Sequence, residues 1–316
     1  MTAPALTTSA LTTLGTPTAV TPGDWAARLE RLLDRLEPFL PAPREPDWQA
    51  SIAFRWRRQQ SVLGRFGALE PVARVAEIGL DDIHHADEAK RLVVRNTRQF
   101  VAGLPANNVL LTGARGTGKS SLVRACLHAF AAQGLRLIEV DKDDLVDLPE
   151  IVARLHDRPE RFIVFCDDLS FEQGEPGYKA MKSALDGSIA TTGDRVLIYA
   201  TSNRRHLLPE AMRENLEARH QEDGEIHPGD TTEEKVSLSE RFGLWVAFYP
   251  FRQQAYLDVV AHWLARHGLP LDAQARAQAL QFALERGSRS GRVAAQFARD
   301  WAGRTLEASS MGADGV

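Results

Sequence analysis

The sequence predicts an α/β fold, a parallel sheet with helices on both faces, followed by an all-helical piece. Three observations carry that prediction. Apolar runs of strand length alternate with helical patterns between about residues 75 and 250. A glycine-rich turn, Gly113-Ala114-Arg115-Gly116-Thr117-Gly118-Lys119-Ser120, joins the apolar run Asn108-Val109-Leu110-Leu111 to a helix opened by Ser121-Leu122-Val123-Arg124. From Arg252 onward the pattern is wholly helical.

In chain order, residues 1–22 are Ala/Thr/Pro-rich, almost uncharged and expected to be disordered. Residues 23–74 are expected to form a helical accessory segment. Asp24 opens an amphipathic helix in which Trp25, Leu29, Leu32, Leu33 and Leu36 recur at helical spacing. Pro38, Pro41 and Pro43 close it. A second helix is expected from about Asp47 to Leu63, with Trp48, Ile52, Trp56 and Gln59 on one face.

The α/β region is expected over 75–250. Gly79-Leu80-Asp81-Asp82-Ile83 turns into a helix covering about Ala86 to Ala102. The helix after the glycine-rich turn runs to about Gln133, where Gly134 caps it. Strands follow at Leu135 to Val140, Phe162 to Cys166, Arg195 to Ala200 and Leu244 to Phe248. Helices are expected at Leu148 to Leu155, Tyr178 to Leu185 and Leu207 to Ala218, and an acidic turn at Asp141 to Asp144. Residues 219–235 form a polar insertion, 251–306 a helical lid, and 307–316 a frayed tail.

Composition narrows the function classes. At 316 residues the chain can hold one large domain and a smaller one. No apolar run approaches the ~20 residues that span a bilayer, and Met1 to Val20 lacks the basic and apolar regions of a secretory leader. Cys126 and Cys166 are the two cysteines, without metal-ligand spacing or a disulfide framework, which fits a reducing cytoplasmic setting. A net charge of −4 provides no global nucleic-acid footprint. Arg55, Arg57 and Arg58 beside Trp56 form the sharpest basic cluster, read as a solvated helix face packed on neighbouring acidic residues. His220 and His227 read as solvated loop histidines.

The chemistry centres on the turn from Gly113 to Ser120. Its glycines let backbone N–H groups converge on an anion at a helix N-terminus. Lys119 is placed to reach the β/γ-phosphates of a nucleoside triphosphate, and the Ser120 hydroxyl to ligate Mg²⁺. Asp167 ends a buried strand, where ligands of such sheets bind, and suits the metal opposite Ser120. Asp168 is expected to orient and deprotonate the attacking water, with Glu172 as a rival base. Asn203, after the run Val196 to Ser202, is expected to hydrogen-bond the γ-phosphate or that water; a turn cap is its plain alternative. Arg241, in Ser239-Glu240-Arg241-Phe242-Gly243, suits an arginine finger given to a neighbouring subunit; a surface salt bridge is its alternative. Arg292, with Arg289 as the alternative, is placed to carry the lid onto the phosphates.

Together these residues resemble the AAA+ ATPases across about residues 75–305. Gly113 to Ser120 resembles a Walker A motif and Phe162 to Asp168 a Walker B. Asn203 looks like sensor one, Arg241 like the arginine finger and Arg292 like sensor two. More narrowly, four phrases resemble the bacterial family catalogued as domain of unknown function 815. They are Gly113 to Ser121, Phe165 to Phe171, Tyr199 to His206 and Ser237 to Leu244. The resemblance implies a P-loop NTPase sheet with a C-terminal helical lid and an N-terminal helical segment. It also implies ATP held by Gly113, Ala114, Arg115, Gly116, Thr117, Gly118, Lys119, Ser120 and Ser121, with Mg²⁺ at Ser120 and Asp167. Asp168 stands where the wider superfamily carries glutamate. No aromatic-apolar-Gly triplet precedes Leu148, where protein-threading relatives carry a pore loop.

The leading expectation is an ATPase that works as a homo-oligomer, a ring or part-ring, on an unknown protein or nucleic-acid partner, away from membranes. The alternative is a nucleotide-gated switch or loader with slow hydrolysis, which Asp168 favours. A kinase with a small acceptor is a third reading, opposed by Arg241 and the helical tail. Partner specificity is expected in residues 204–238, which include Arg204, Arg205 and His206.

Overall fold

The structure is a computed structural model that describes residues 22–36, 45–61, 64–171, 175–186, 195–203 and 238–313. Two units divide the chain: residues 1–43 with 60–66, and residues 44–59 with 67–316. In the first, helix α1 (Pro22–Leu36) exposes Trp25, Leu29 and Leu32 at i, i+4, i+7 spacing. The expected proline joint and the helix over 207–218 lie outside the described residues.

Among the described residues, seven strands form one sheet ordered β2-β1-β4-β5-β6-β3-β7. They are β1 (Ala53–Ser61), β2 (Gly64–Pro71), β3 (Val109–Gly113), β4 (Leu135–Glu139), β5 (Arg161–Cys166), β6 (Val196–Ser202) and β7 (Leu244–Phe248). β3 pairs in parallel with both β6 and β7, in register Val109 to Tyr199 and Val109 to Leu244. The ladder continues in parallel through β5 and β4 to β1.

Both faces of the sheet are buried along β3 to β6, so these strands are near-continuous apolar runs. Leu110, Ile138, Val164 and Ile198 point to one core with α4 (Leu148–Leu155) and α5 (Pro176–Asp186). Val109, Leu111, Leu137, Ile163 and Tyr199 point to the other, with α2 (Asp87–Val101) and α3 (Lys119–Phe130). Gly134, at φ 89, ends the α3 region as expected. The lid is a third core made by α6 (Gln253–Arg266), α7 (Ala273–Glu285) and α8 (Gly291–Ala313). Its Tyr256 hydroxyl donates to the Ala279 carbonyl at 3.0 Å.

One expectation fails. Where a helix is predicted over 47–63 the chain instead forms strand β1, so among the described residues of the N-terminal segment only α1 is helical, and the sheet begins well before residue 75. The four-residue spacing of Trp48, Ile52 and Trp56 suggested a helix, but the local pattern alternates. Phe54 and Trp56 are fully buried, while Arg55 and Arg57 are not. The edge of β4 and the acidic turn after it complete the strand. Arg55 pairs with Glu139 at 2.6 Å, Arg57 with Asp141 at 3.0 Å and Arg58 with Asp147 at 2.7 Å. The basic cluster therefore packs on acidic neighbours as expected, although from a strand.

Candidate functional site

The glycine-rich turn leaves the carboxyl end of β3 and opens α3. Gly113 has φ 134, and a Cβ there would lie 2.0 Å from the Phe248 carbonyl oxygen, so the strand end accepts no side chain. Gly116 has φ 73, and its carbonyl accepts the Gly291 N–H at 2.8 Å. A Cβ at Gly116 would lie 2.8 Å from the Ser290 side chain. The first turn of α8 thus sits directly on the loop.

Lys119 is buried under this loop. Its Nζ donates to the carbonyls of Gly113 at 2.7 Å and Ala114 at 2.8 Å, and to Asn203 Oδ1 at 2.9 Å. Burial lowers the Lys119 pKa, against the raising pull of Asp167 and Asp168. The Thr117 hydroxyl donates to the Ala114 carbonyl at 2.9 Å.

The acidic side of the site comes from the end of β5. Asp167 Oδ1 accepts from the hydroxyls of Ser120 and Thr201, each at 2.6 Å. Thr201 in turn accepts the Asp168 N–H at 2.9 Å, which fixes the turn after the strand. Asp168 has φ 53, a left-handed conformation that Asp tolerates better than most residues. Its carboxylate accepts from the Asn203 amide in a close hydrogen bond and lies 3.5 Å from Arg115. Asn203 therefore bridges the loop lysine and the second acid. Arg124, on α3, lies 3.9 Å from Asp167.

These groups line one cleft of about 870 Å³. The lid contributes Arg292, Ala295 and Arg299 from one face of α8, and Val259 and Trp263 from α6. Ile78 and Ile83, before α2, add further apolar wall. Cations gathered around a loop of backbone N–H groups suit a polyphosphate, and the apolar wall suits a flat base. Ser120 and Asp167 are hard oxygen donors, which fits Mg²⁺ sharing its remaining positions with phosphates and water. Among the described residues no group of three or more His, Cys, Asp or Glu could hold a metal by itself.

Of the expected site residues, the structure brings together the loop, Asp167, Asp168, Asn203 and Arg292. Arg241 does not line this cleft; it makes a close ion pair with Asp186 at the end of α5. Arg289 lines a separate pocket of about 440 Å³ beside Ala114 and Leu280, so of the two alternatives Arg292 is the one that lines the cleft. Glu172, Arg204, Arg205, His206, His220 and His227 lie outside the described residues. Sequence reasoning missed Thr201, Arg124 and Arg299 as site residues. The spacing of Arg292 and Arg299, two helical turns apart, was a readable signal for one face.

The fold is similar to that of two mutant forms of RuvB from Thermotoga maritima. The first matches with TM-score 0.50 at 15% identity, covering 71% of this chain and 64% of that one. The second matches with TM-score 0.50 at 14% identity and the same coverage. The AAA domain of FIGL-1 in complex with ADP is similar at TM-score 0.45 and 18% identity, covering 72% of this chain and 74% of that one. The chain thus spans 64% of the length of the RuvB structures, and what it shares with them is the fold. No curated protein matches the sequence. A family described as protein of unknown function (DUF815) matches residues 49–305, more than half of the chain, and the chain belongs to that family.

Proposed function

We propose that this protein binds ATP with Mg²⁺ and hydrolyses it to ADP and phosphate, in a homo-oligomer that remodels or loads a partner macromolecule. The observation that supports this best is the convergence of Lys119, Ser120, Asp167 and Asn203 beside the glycine-rich loop. In this reading the backbone from Gly113 to Ser121 cradles the phosphates. Lys119 exchanges its carbonyl partners for β/γ-phosphate oxygens, and Ser120 and Asp167 hold the metal. Mg²⁺ held there would neutralise the charge that develops on the phosphates.

Asp168 then accepts the proton of the attacking water, and Asn203 orients that water or the γ-phosphate. Arg292 carries the lid onto the phosphates. Arg241 acts from outside its own cleft, on the site of a neighbouring subunit, and that role motivates the oligomer.

A second reading is a nucleotide-gated switch or loader with slow hydrolysis. It is favoured by Asp168, a short acid already engaged by Asn203 and Arg115.

Phosphate release from ATP, followed against protein concentration for wild type, Lys119→Ala and Arg241→Ala, separates these readings. The motor reading expects specific activity that rises with concentration. It also expects an Arg241→Ala variant that still binds ATP but turns over about 10³-fold more slowly. Lys119→Ala is expected to lose ATP binding. Activity that is flat with concentration and indifferent to Arg241 would remove the finger and leave the switch. Phosphate release without any acceptor disposes of a kinase.

A further inference from the structure

We propose that Asp82 is a positioning residue whose carboxylate latches lid helix α6 to the segment before α2, and so sets nucleotide affinity, with His84 as the proton-sensitive part of the latch. The proposal rests on reading the 870 Å³ cleft as a nucleotide site.

Asp82 belongs to a short 3₁₀ turn, Leu80–Asp82, and its side chain is only 10% exposed. One carboxylate oxygen accepts the Gly79 N–H at 2.8 Å, closing the turn on itself. The other accepts from two lid side chains, His262 Nε2 at 2.8 Å and Arg266 at 2.9 Å. Lys90 on α2 stiffens the same turn by donating to the carbonyls of Leu80 at 3.3 Å and Ile83 at 3.2 Å.

Next along the chain, the His84 ring lies 4.4 Å from the His262 ring, centroid to centroid. His85, at φ 55, pairs with Asp258 of α6 at 3.0 Å. Residues 82–85 thus meet one face of α6 at Asp258, His262 and Arg266. The cleft is lined from both sides of this seam, by Asp82 and Ile83 on one and by Val259 and Trp263 on the other. Moving α6 away from Asp82 would widen the apolar wall of the cleft.

His84 makes the seam sensitive to protons. Its Nε2 is buried and has no hydrogen-bond partner. The groups facing it are Asp82 from the turn, its neighbour His85, Lys90 from α2, and His262 from α6, with Asp258 and Arg266 flanking. Burial holds the His84 imidazole below its ordinary value of 6.5, and the nearby His262, His85 and Lys90 add to this, against Asp82. Burial opposes ionisation of Asp82, but bonds from Gly79, His262 and Arg266 outweigh it and hold its carboxyl below the usual range.

Asp82 therefore stays charged while His84 titrates. A histidine held low when latched contributes its full share above the ordinary 6.5, and that share is lost as pH falls through the latched value.

The test uses the full chain. Calorimetric binding of ATP and ADP, and hydrogen exchange of the α6 amides, are compared at about pH 8 and about pH 5.5, on either side of the imidazole range. The variants are Asp82→Asn, His262→Gln and His84→Gln; the nucleotide's own titration is common to all four proteins. Asp82→Asn is expected to weaken binding about tenfold at the higher pH and to speed α6 exchange, since it removes charge-assisted bonds. His84→Gln is expected to keep wild-type affinity there and to flatten the loss on acidification.

His262→Gln removes the same bond from the lid side, so a failure of Asp82→Asn to fold leaves the proposal testable. Natively melting Asp82→Asn or His262→Gln protein with wild-type affinity and wild-type α6 exchange overturns the latch. Wild-type protein that binds neither nucleotide overturns the proposed function instead, and the exchange comparison still decides the latch.

Discussion

At the scale of single residues, the site depends on small polar side chains as much as on charged ones. Thr201 is the clearest case. Its hydroxyl donates to Asp167 and accepts the Asp168 N–H, so one atom aims both acids. Thr201→Val keeps the shape and removes both bonds. If Asp167 holds the metal as proposed, the variant is expected to leave ATP affinity within about threefold but to slow phosphate release by about 10–100-fold, the range of a lost contact behind a metal ligand. Single-turnover kinetics alongside nucleotide binding check this; equal losses in both would make Thr201 merely structural. Asn203 works similarly, holding Lys119 and Asp168 in a single amide.

At the scale of elements, β1 is the instructive one. Trp56 is fully buried, donates its indole N–H to Asp147 at 3.0 Å and is covered by Arg154, 5.0 Å above the ring. Trp56→Ala is expected to destabilise the fold by about 3–5 kcal/mol, measured by denaturant unfolding. Trp56→Phe is expected to cost much less. Burial opposes ionisation of Asp147, but hydrogen bonds from Arg58 and Trp56 prevail and hold it below its ordinary 3.8. A depressed carboxylate stabilises above that ordinary value, and the contribution disappears as pH falls through the depressed one. Wild-type protein should therefore lose more stability on acidification below about pH 5 than Asp147→Asn does, as acid titrations of the melting temperature would reveal.

At the scale of the molecule, the lid and the loop form one working surface. The Gly291 N–H to Gly116 carbonyl bond and the close approach of Ser290 leave no room for a side chain at Gly116. Gly116→Ala forces a Cβ into that seam at positive φ, a conformation costing about 1–2 kcal/mol for a non-glycine residue. Binding of ATP should weaken about tenfold, and exchange in the first turn of α8 should rise while the sheet stays protected. Calorimetry and hydrogen exchange check both. Wild-type affinity in Gly116→Ala would mean that the seam is not part of the working site. No helix among the described residues is long and apolar enough to cross a membrane.

Much of this was legible beforehand because it is local. The run from Asn108 to Ser120 encodes a buried strand, a turn that only glycines can make, and a helix start, all within hydrogen-bonding reach of each other. The strand ending at Asp167 and Asp168 was readable for the same reason, since both faces of a parallel sheet demand an unbroken apolar run. The all-helical pattern from Arg252 defined the lid. The strand at 53–61 was not legible, because its acidic partners lie about eighty residues away and its aromatic spacing also fits a helix. Nor could spacing separate Arg292 from Arg289, or bring Asp82 to His262, 180 residues further on. The sequence by itself determined the glycine-rich loop, the strands from β3 to β7 and the lid, because short-range geometry specifies them. Only the tertiary structure decided which side chains close the cleft, because those contacts join segments that are adjacent only after the chain has folded.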